Sequence, residues 1–198
     1  EIWTAILESD VELPAKYRYS DLGFYFFKKI VEDVGGMSLD LYLKKHFYDP
    51  MGLTKTTYNP RDYQPIDHLV PTEDDKVFRN QLVHGYVHDP GAAMLGGVGG
   101  HAGLFSNARE IAVIGQMLMN GGEYGGKKYL KSATIETFIS KHKKGNRRGL
   151  GFDKPTLSDS GPASKYASYK TFGHTGFTGT CFWVDPKYQI VYVFLSNR

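Results

Sequence analysis

The sequence predicts an α+β fold, an antiparallel sheet sandwiched between helices, and three observations carry that prediction. Helical periodicity fills the first quarter and returns near the middle, while strand-like segments crowd the last quarter. The final apolar segment, Ile190 to Leu195, is apolar on both faces, which suits a strand covered by helices above and below. The 198 residues correspond to a single domain over 1–198, or a large piece of one. Hydrophobic residues at 41% and charged residues at 23% are enough to bury a core and exclude a disordered tail.

In chain order, Ser20 is placed to cap a helix whose apolar face reads Leu22, Phe26, Ile30 and Val34, ended by Gly35-Gly36. Ser38 then caps a second helix with Leu39, Leu43 and Phe47 on one face, expected to stop at Asp49-Pro50. From Asn59 to Gly100 periodicity is hard to find, so the 59–105 region is expected to be a long loop that lines a site. Asn107 with Glu110 makes a capping box for a helix carrying Ile111, Ile114 and Leu118, closed by Gly121-Gly122. A short helix follows from Ser132 to Ser140, and strands are expected over Gly149 to Phe152, Ser168 to Gly173, Gly179 to Asp185 and Gln189 to Leu195. Asp185-Pro186-Lys187-Tyr188 turns a hairpin between the last two.

Composition removes several function classes. The 24 Lys and Arg against 21 Asp and Glu give a net charge of only +3, and the dense basic run Lys141 to Arg148 lacks aromatic residues that stack on bases. No nucleic-acid partner is expected. The single Cys181 excludes an internal disulfide framework and a Cys-only zinc site. The longest apolar run is far short of the roughly 20 residues of a membrane span, so none is expected. A start at Glu1 without methionine or a signal-peptide core is what a mature product, or a piece of a longer chain, would show. No internal repeat appears, and the sequence carries no signal for an oligomeric state.

Three segments pair reactive side chains with rigid backbone. In Tyr19-Ser20-Asp21, a phenol lies at a helix start, where amide dipoles and cations favour its ionised form; the competing reading is a capping serine and a packed tyrosine. In Gly173-His174-Thr175-Gly176-Phe177-Thr178-Gly179, glycines let a ligand approach the backbone. There Thr175 can bond a substrate carboxylate, the Phe177 N–H can serve an oxyanion, and His174 can relay protons; the plain alternative is a glycine-rich turn. The third segment, Gly96 to Ser106, lacks a phosphate-loop ending and a preceding strand, so close backbone packing beside a site is expected rather than a nucleotide. His84, His88, Asp89 and His101 lie near one another in sequence, but Gly85 and Pro90 break any helix, and no metal is expected. No Gly-x-Ser-x-Gly elbow exists, and the single Ser-x-x-Lys match, Ser140 to Lys143, is about what 11 Ser and 17 Lys give by chance.

Taken in order, Tyr19-Ser20-Asp21, His101-Ala102-Gly103-Leu104-Phe105-Ser106 and His174-Thr175-Gly176 resemble the serine β-lactamase-related family. That family includes class C β-lactamases, penicillin-binding DD-peptidases and related esterases. The likeness extends to Asp49-Pro50-Met51-Gly52-Leu53, Trp183-Val184-Asp185-Pro186 and Leu195-Ser196-Asn197-Arg198. The resemblance implies a β-lactamase/transpeptidase-like fold, here truncated at both ends. It implies an acyl-enzyme reaction without cofactor or metal, on β-lactams, D-alanyl cell-wall peptides or small esters, in an extracytoplasmic location. By the matched positions Tyr19 is the proton-transferring phenol, and catalytic His174 borders the site on its strand with Thr175 and Gly176. Phe177 lends its backbone N–H to the oxyanion hole, and Asp21, Thr175 and Gly176 border the substrate.

Three departures shape the expectation. The family's Ser-x-x-Lys nucleophile lies upstream of the tyrosine motif, where Ser9 is followed here by Asp10-Val11-Glu12, so the isolated chain is expected to be inactive. Asp21 stands where Asn is usual, and a carboxylate cannot donate to a substrate carbonyl. His174 stands where Lys is usual, and a neutral imidazole attracts a carboxylate less than an ammonium does, which disfavours efficient penicillin hydrolysis. A non-catalytic module of the same fold that holds a cell-wall peptide is the alternative. The resemblance also leads one to expect a helix after the last strand.

Overall fold

A computed structural model describes residues 2–10, 17–142, 146–156 and 161–198. Val11 and Glu12, Lys143 of the Ser-x-x-Lys match, and the middle of the basic run lie outside these residues. Helix α1 (Ile2–Leu7) lays Trp3 against Phe26 of α2 (Leu22–Gly35), with ring centroids 5.7 Å apart. At the start of α2 the expected cap, Ser20, shares the work with Asp21. Ser20 Oγ accepts from the Leu22 N–H at 3.2 Å, while Asp21 occupies the cap position and offers its carbonyl to Phe24. Gly36 closes the helix in the left-handed conformation at φ 65°, where a side chain would be strained.

The expected stop at Asp49-Pro50 is corrected. Helix α3 (Leu39–Leu43) runs into a π-helical turn, Lys44–Tyr48, and then into α4 (Asp49–Met51), which ends at Gly52 with φ 74°. Proline lacks an N–H and its ring crowds the carbonyl four residues back, so a wider turn ahead of it lets the helix pass. Tyr48, Met51 and Leu53 from this segment meet Met117 from the next long helix and form the main core cluster.

The long loop is also corrected in part, because it carries short elements without long-range periodicity. These are 3-10 turns at Pro60–Asp62 and Ile66–His68, an antiparallel hairpin β1 (Pro71–Asp75) with β2 (Gln81–His84), and α5 (Pro90–Met94). Helix α6 (Ala108–Met119) begins as its capping residue requires, with Asn107 Oδ1 accepting from the Glu110 N–H at 2.9 Å. The other half of the capping box does not form. The Glu110 carboxylate turns inward and accepts from the Thr54 and Lys55 N–H groups and the Thr56 hydroxyl, at 2.6 to 3.0 Å. Satisfied in this way, the carboxylate is buried at 8% exposure and ties α6 to the segment after α4.

A small hairpin of β3 (Glu123–Tyr124) and β4 (Lys127–Lys128) leads to α7 (Ser132–Ile139). The last quarter holds an antiparallel sheet in the order β5 (Phe172–Thr175), β6 (Cys181–Asp185), β7 (Ile190–Phe194). Two strand boundaries move. Gly149 to Phe152 is a turn anchored by the Leu150 N–H on the Phe138 carbonyl, and only Asp153 pairs with the sheet, through reciprocal bonds to Gly173 at 2.7 and 3.1 Å. The Ser168–Lys170 segment is a turn gathered by the buried Asp185 carboxylate, which accepts from the Ser168 N–H and hydroxyl and the Thr171 hydroxyl. Burial opposes ionisation of Asp185, but these donors outweigh it and hold the carboxyl below its ordinary range.

Helix α6 covers one face of the sheet. A side chain on its Gly115 would meet Val191, Phe182 and Val184 at 2.6 to 3.4 Å, so the helix sits directly on the strands. The expected cover on both faces of β7 is corrected: Ile190, Tyr192 and Phe194 are about half exposed.

Candidate active site

The sheet edge and the start of α2 meet at one place. Gly173 lets β5 lie close against β6, because a Cβ there would lie 1.9 Å from the Phe182 carbonyl oxygen and 2.8 Å from the Trp183 ring. The backbone of the same glycine pairs with Asp153, which carries Arg147 and Arg148 to the strand beside His174. Arg147 grips the Asp153 carboxylate through two nitrogens at 2.6 and 2.8 Å, and Arg148 touches it at 3.2 Å. Burial raises the cost of charge on Asp153, yet Arg147, the Lys154 N–H and Arg148 more than offset it and hold the carboxyl low.

Arg148 is the hub. One of its terminal nitrogens lies 2.8 Å from His174 Nε2, and its guanidinium carbon stands 4.9 Å from the centre of the Tyr19 ring. The Tyr19 and His174 rings are 6.2 Å apart. A guanidinium only donates, so His174 Nε2 accepts; Nδ1, 2.6 Å from the Thr175 carbonyl, must then carry the proton. That assigns a neutral imidazole with its single proton on Nδ1. The expected proton relay at His174 is therefore occupied at both nitrogens in this arrangement. At Tyr19, partial burial pushes the phenol up, the Asp21 carboxylate adds to this, and Arg148 pulls it back down. The net upward shift keeps Tyr19 a neutral phenol near neutral pH, which differs from the ionised form favoured at a helix start.

Thr175, Gly176 and Phe177 follow on the exposed end of β5 and its turn. The turn is closed by the Gly176 N–H on the Thr180 carbonyl at 2.7 Å, and among the described residues no acceptor takes the Phe177 N–H. The Phe177 ring is anchored elsewhere. His88 stacks on it with centroids 4.6 Å apart and planes 4° from parallel, and the Arg198 guanidinium carbon is 4.4 Å from its centre. Burial lowers the tendency of His88 to take a proton, with Asp89 and Glu73 opposing that shift.

The glycine-rich segment packs closely, as its lack of a phosphate-loop ending predicts: a Cβ at Gly100 would lie 2.2 Å from the Phe24 carbonyl oxygen of α2. His101 Nε2 meets Asp89 Oδ1 at 2.7 Å, and its ring stacks on Tyr25 at 4.5 Å. The four residues weighed for a metal go to other partners: His84 to the Leu69 carbonyl, His88 to Phe177, and Asp89 to His101 and the cap of α5. Among the described residues no group of three His, Cys, Asp or Glu side chains is placed to hold a metal ion. Among the described residues no helix is long and apolar enough to cross a membrane.

Sequence reasoning named Tyr19, His174 and the Phe177 turn, missed Arg148 and Asp153, and weighed His88 only for a metal although it stacks on Phe177. The two arginines belong to the dense basic run Lys141 to Arg148. The signal that could have found them is Asp153 following Gly149-Leu150-Gly151, a turn that returns an acid to the preceding cations.

Comparisons with known proteins identify the family and the fold. The family model for β-lactamases matches residues 10–198, and the chain belongs to that family, the serine β-lactamase-related proteins. A protein of Escherichia coli K12 that carries the name D-alanyl-D-alanine carboxypeptidase is 37% identical over 198 residues, covering 93% of this chain and 45% of that protein. A Salmonella agona protein of the same name is 35% identical, with 93% and 46% covered. The chain thus spans about half the length of the curated relatives it matches. Among solved structures, a β-lactamase from Mycobacterium bovis superposes with a TM-score of 0.63 at 20% identity, over 91% of this chain and 56% of the other. An octameric penicillin-binding protein homologue from Pyrococcus abyssi gives 0.67 at 18% identity, over 96% and 40%. At such identities these likenesses establish the fold: β-lactamase/transpeptidase-like, mixing helices with an antiparallel sheet.

Proposed function

We propose that this chain, as a member of the β-lactamase family, forms two walls of a serine acyl-transfer site in a cell-envelope hydrolase that acts on D-alanyl cell-wall peptides. The observation that carries the reading is the convergence of Tyr19 and His174 on Arg148, beside a turn whose Phe177 N–H is free to bond an oxyanion. The name of the 37% identical relative supports D-alanyl peptides over β-lactams and small esters as the substrate. The nucleophilic serine comes from a segment outside these 198 residues, and the chain alone is inactive. In the reaction that serine passes its hydroxyl proton to a base on the same outside segment as its oxygen attacks the amide carbonyl, and the Phe177 N–H donates to the resulting oxyanion. Tyr19, as a neutral phenol, donates its proton to the leaving amine nitrogen as the carbon–nitrogen bond breaks. Water then attacks the acyl carbonyl and gives a proton back to the Tyr19 phenolate, while the departing serine oxygen takes back the proton held by that base.

The test uses the longer native protein with an N-acyl-D-alanyl-D-alanine peptide. Tyr19→Phe is expected to lower kcat/KM by about 10²–10⁴-fold, the range general acid–base groups contribute, without loss of fold. An unchanged rate overturns the assignment of Tyr19, and no cleavage by the parent protein overturns the substrate.

The second reading, a peptide-binding module without catalysis, draws on the upward shift at Tyr19 caused by burial and Asp21. Retention of peptide binding without turnover by the native protein would select it.

A further inference from the structure

We propose that His88 and Arg198 are positioning residues for acyl transfer: both hold the Phe177 ring, and through it they set the direction of the Phe177 N–H. The inference deepens the function proposed above and rests on that reading for the N–H as an oxyanion donor.

The turn after β5 leaves the orientation of this peptide to its side chain. Its backbone closes through the Gly176 N–H on the Thr180 carbonyl at 2.7 Å and the Gly179 N–H on the Gly176 carbonyl at 3.1 Å. Ser196 holds the far side, its hydroxyl donating to the Thr178 carbonyl at 2.7 Å. Between these anchors, neither the N–H nor the carbonyl of Phe177 has a hydrogen-bond partner among the described residues. An N–H that must stay free for an oxyanion cannot be fixed by a bond of its own, so the ring is the remaining handle. That ring is 57% exposed, with little core around it, yet it carries both the parallel His88 imidazole at 4.6 Å and the Arg198 guanidinium at 4.4 Å.

Both contacts are anchored by the β1–β2 hairpin. Arg198 is clipped to β1, its N–H donating to the Thr72 carbonyl at 3.1 Å and its carbonyl accepting from the Asp74 N–H at 3.2 Å. His88 is fixed from two sides. Arg79, in the hairpin turn, donates to the Val87 carbonyl at 2.7 Å and to the His88 carbonyl. The buried Asp75 carboxylate shapes that turn by accepting from the Val77, Phe78 and Arg79 N–H groups, each at 2.9 Å. On the other side of His88, Asp89 accepts from the Ala92 N–H at 2.6 Å and meets His101 at 2.7 Å. A ring held this way lets its peptide turn little, and an oxyanion donor works only when it already points to where the charge develops.

The native protein that contains this chain would be assayed with an N-acyl-D-alanyl-D-alanine peptide, and the Phe177 amide followed by nitrogen-15 relaxation. His88→Ala is expected to lower kcat by about 10–100-fold and to leave KM within about twofold, because a misdirected oxyanion donor weakens the transition state more than the bound substrate. The Phe177 amide should become more mobile in the same variant. His88→Phe keeps a flat ring on Phe177 and should restore both readouts. Arg198→Gln should lower kcat in the same pattern by about two- to fivefold, the worth of an exposed cation–π contact. A His88→Ala protein with the parent's kcat, or a His88→Phe protein as slow as His88→Ala, would overturn the proposal. Hydrolysis and amide mobility are read separately. If the native protein cleaves no D-alanyl peptide, the functional reading falls and the amide decides the clamp, which an unchanged mobility in His88→Ala would overturn.

Discussion

The two faces of the β5–β7 sheet part company at β7. Phe172 and Val184 are fully buried on the α6 side, while Ile190, Tyr192 and Phe194, one residue out of phase with Val191 and Val193, stay 50 to 53% exposed. The difference teaches that apolar residues on a strand announce a cover without supplying it. Alternation fixes which residues share a face, and a helix at the right height decides whether that face becomes core. On the covered side Gly115 lets α6 descend onto Val184 and Val191, and Glu110 locks the helix to the Thr54–Thr56 segment. The functional wall grows from the covered side, since His174 shares a face with Phe172.

The sharpest break in that comparison is Phe172→Ala. Its ring is 0% exposed and packs edge-on against Phe152 at 5.2 Å, so the cavity should cost about 3–5 kcal/mol in urea unfolding. Glu110→Ala follows, at about 1–3 kcal/mol, because it leaves the Thr54 and Lys55 N–H groups and the Thr56 hydroxyl without their acceptor. Both variants should disturb the signals of β5 as well as lower stability.

A pH dependence sharpens the contrast at the rim of the site. Burial lowers the proton affinity of His88 against Phe177, so below about pH 6.5 the unfolded chain binds a proton that the folded chain resists. Stability should then fall as pH drops through and below that value. His88→Phe keeps the aromatic stack and should flatten the dependence, read as urea midpoints at pH 7.5 and 5.5. The smallest effect is expected on the open face: Tyr192→Thr should change stability by no more than about 0.5 kcal/mol.

Much of the scaffold was legible in the residues. The α2 helix from Leu22 to Gly35, though its Leu22, Phe26, Ile30 and Val34 stripe stays exposed, the Asn107 cap and the Asp185–Tyr188 turn depend on local spacing, and local spacing is what a sequence displays. The passage through Pro50 was hidden, because a π turn has no simple residue signature. Glu110 was read as completing a capping box, yet three donors from residues 54–56 offered it a better partner set than its own helix start. Arg148 was invisible for a related reason: its neighbours His174 and Tyr19 are 26 and 129 positions away, and the pairing of Asp153 with Gly173 brings it to β5.

The central claim is that these residues line an acyl-transfer site whose nucleophile comes from outside this chain. Its most direct test is intact-protein and peptide mass spectrometry of the native protein after incubation with a penicillin and an activated ester. The account predicts a covalent acyl adduct on a serine outside residues 1–198, and none on this chain expressed alone. An adduct on any residue within 1–198, or no adduct on the native protein with either reagent, would contradict it.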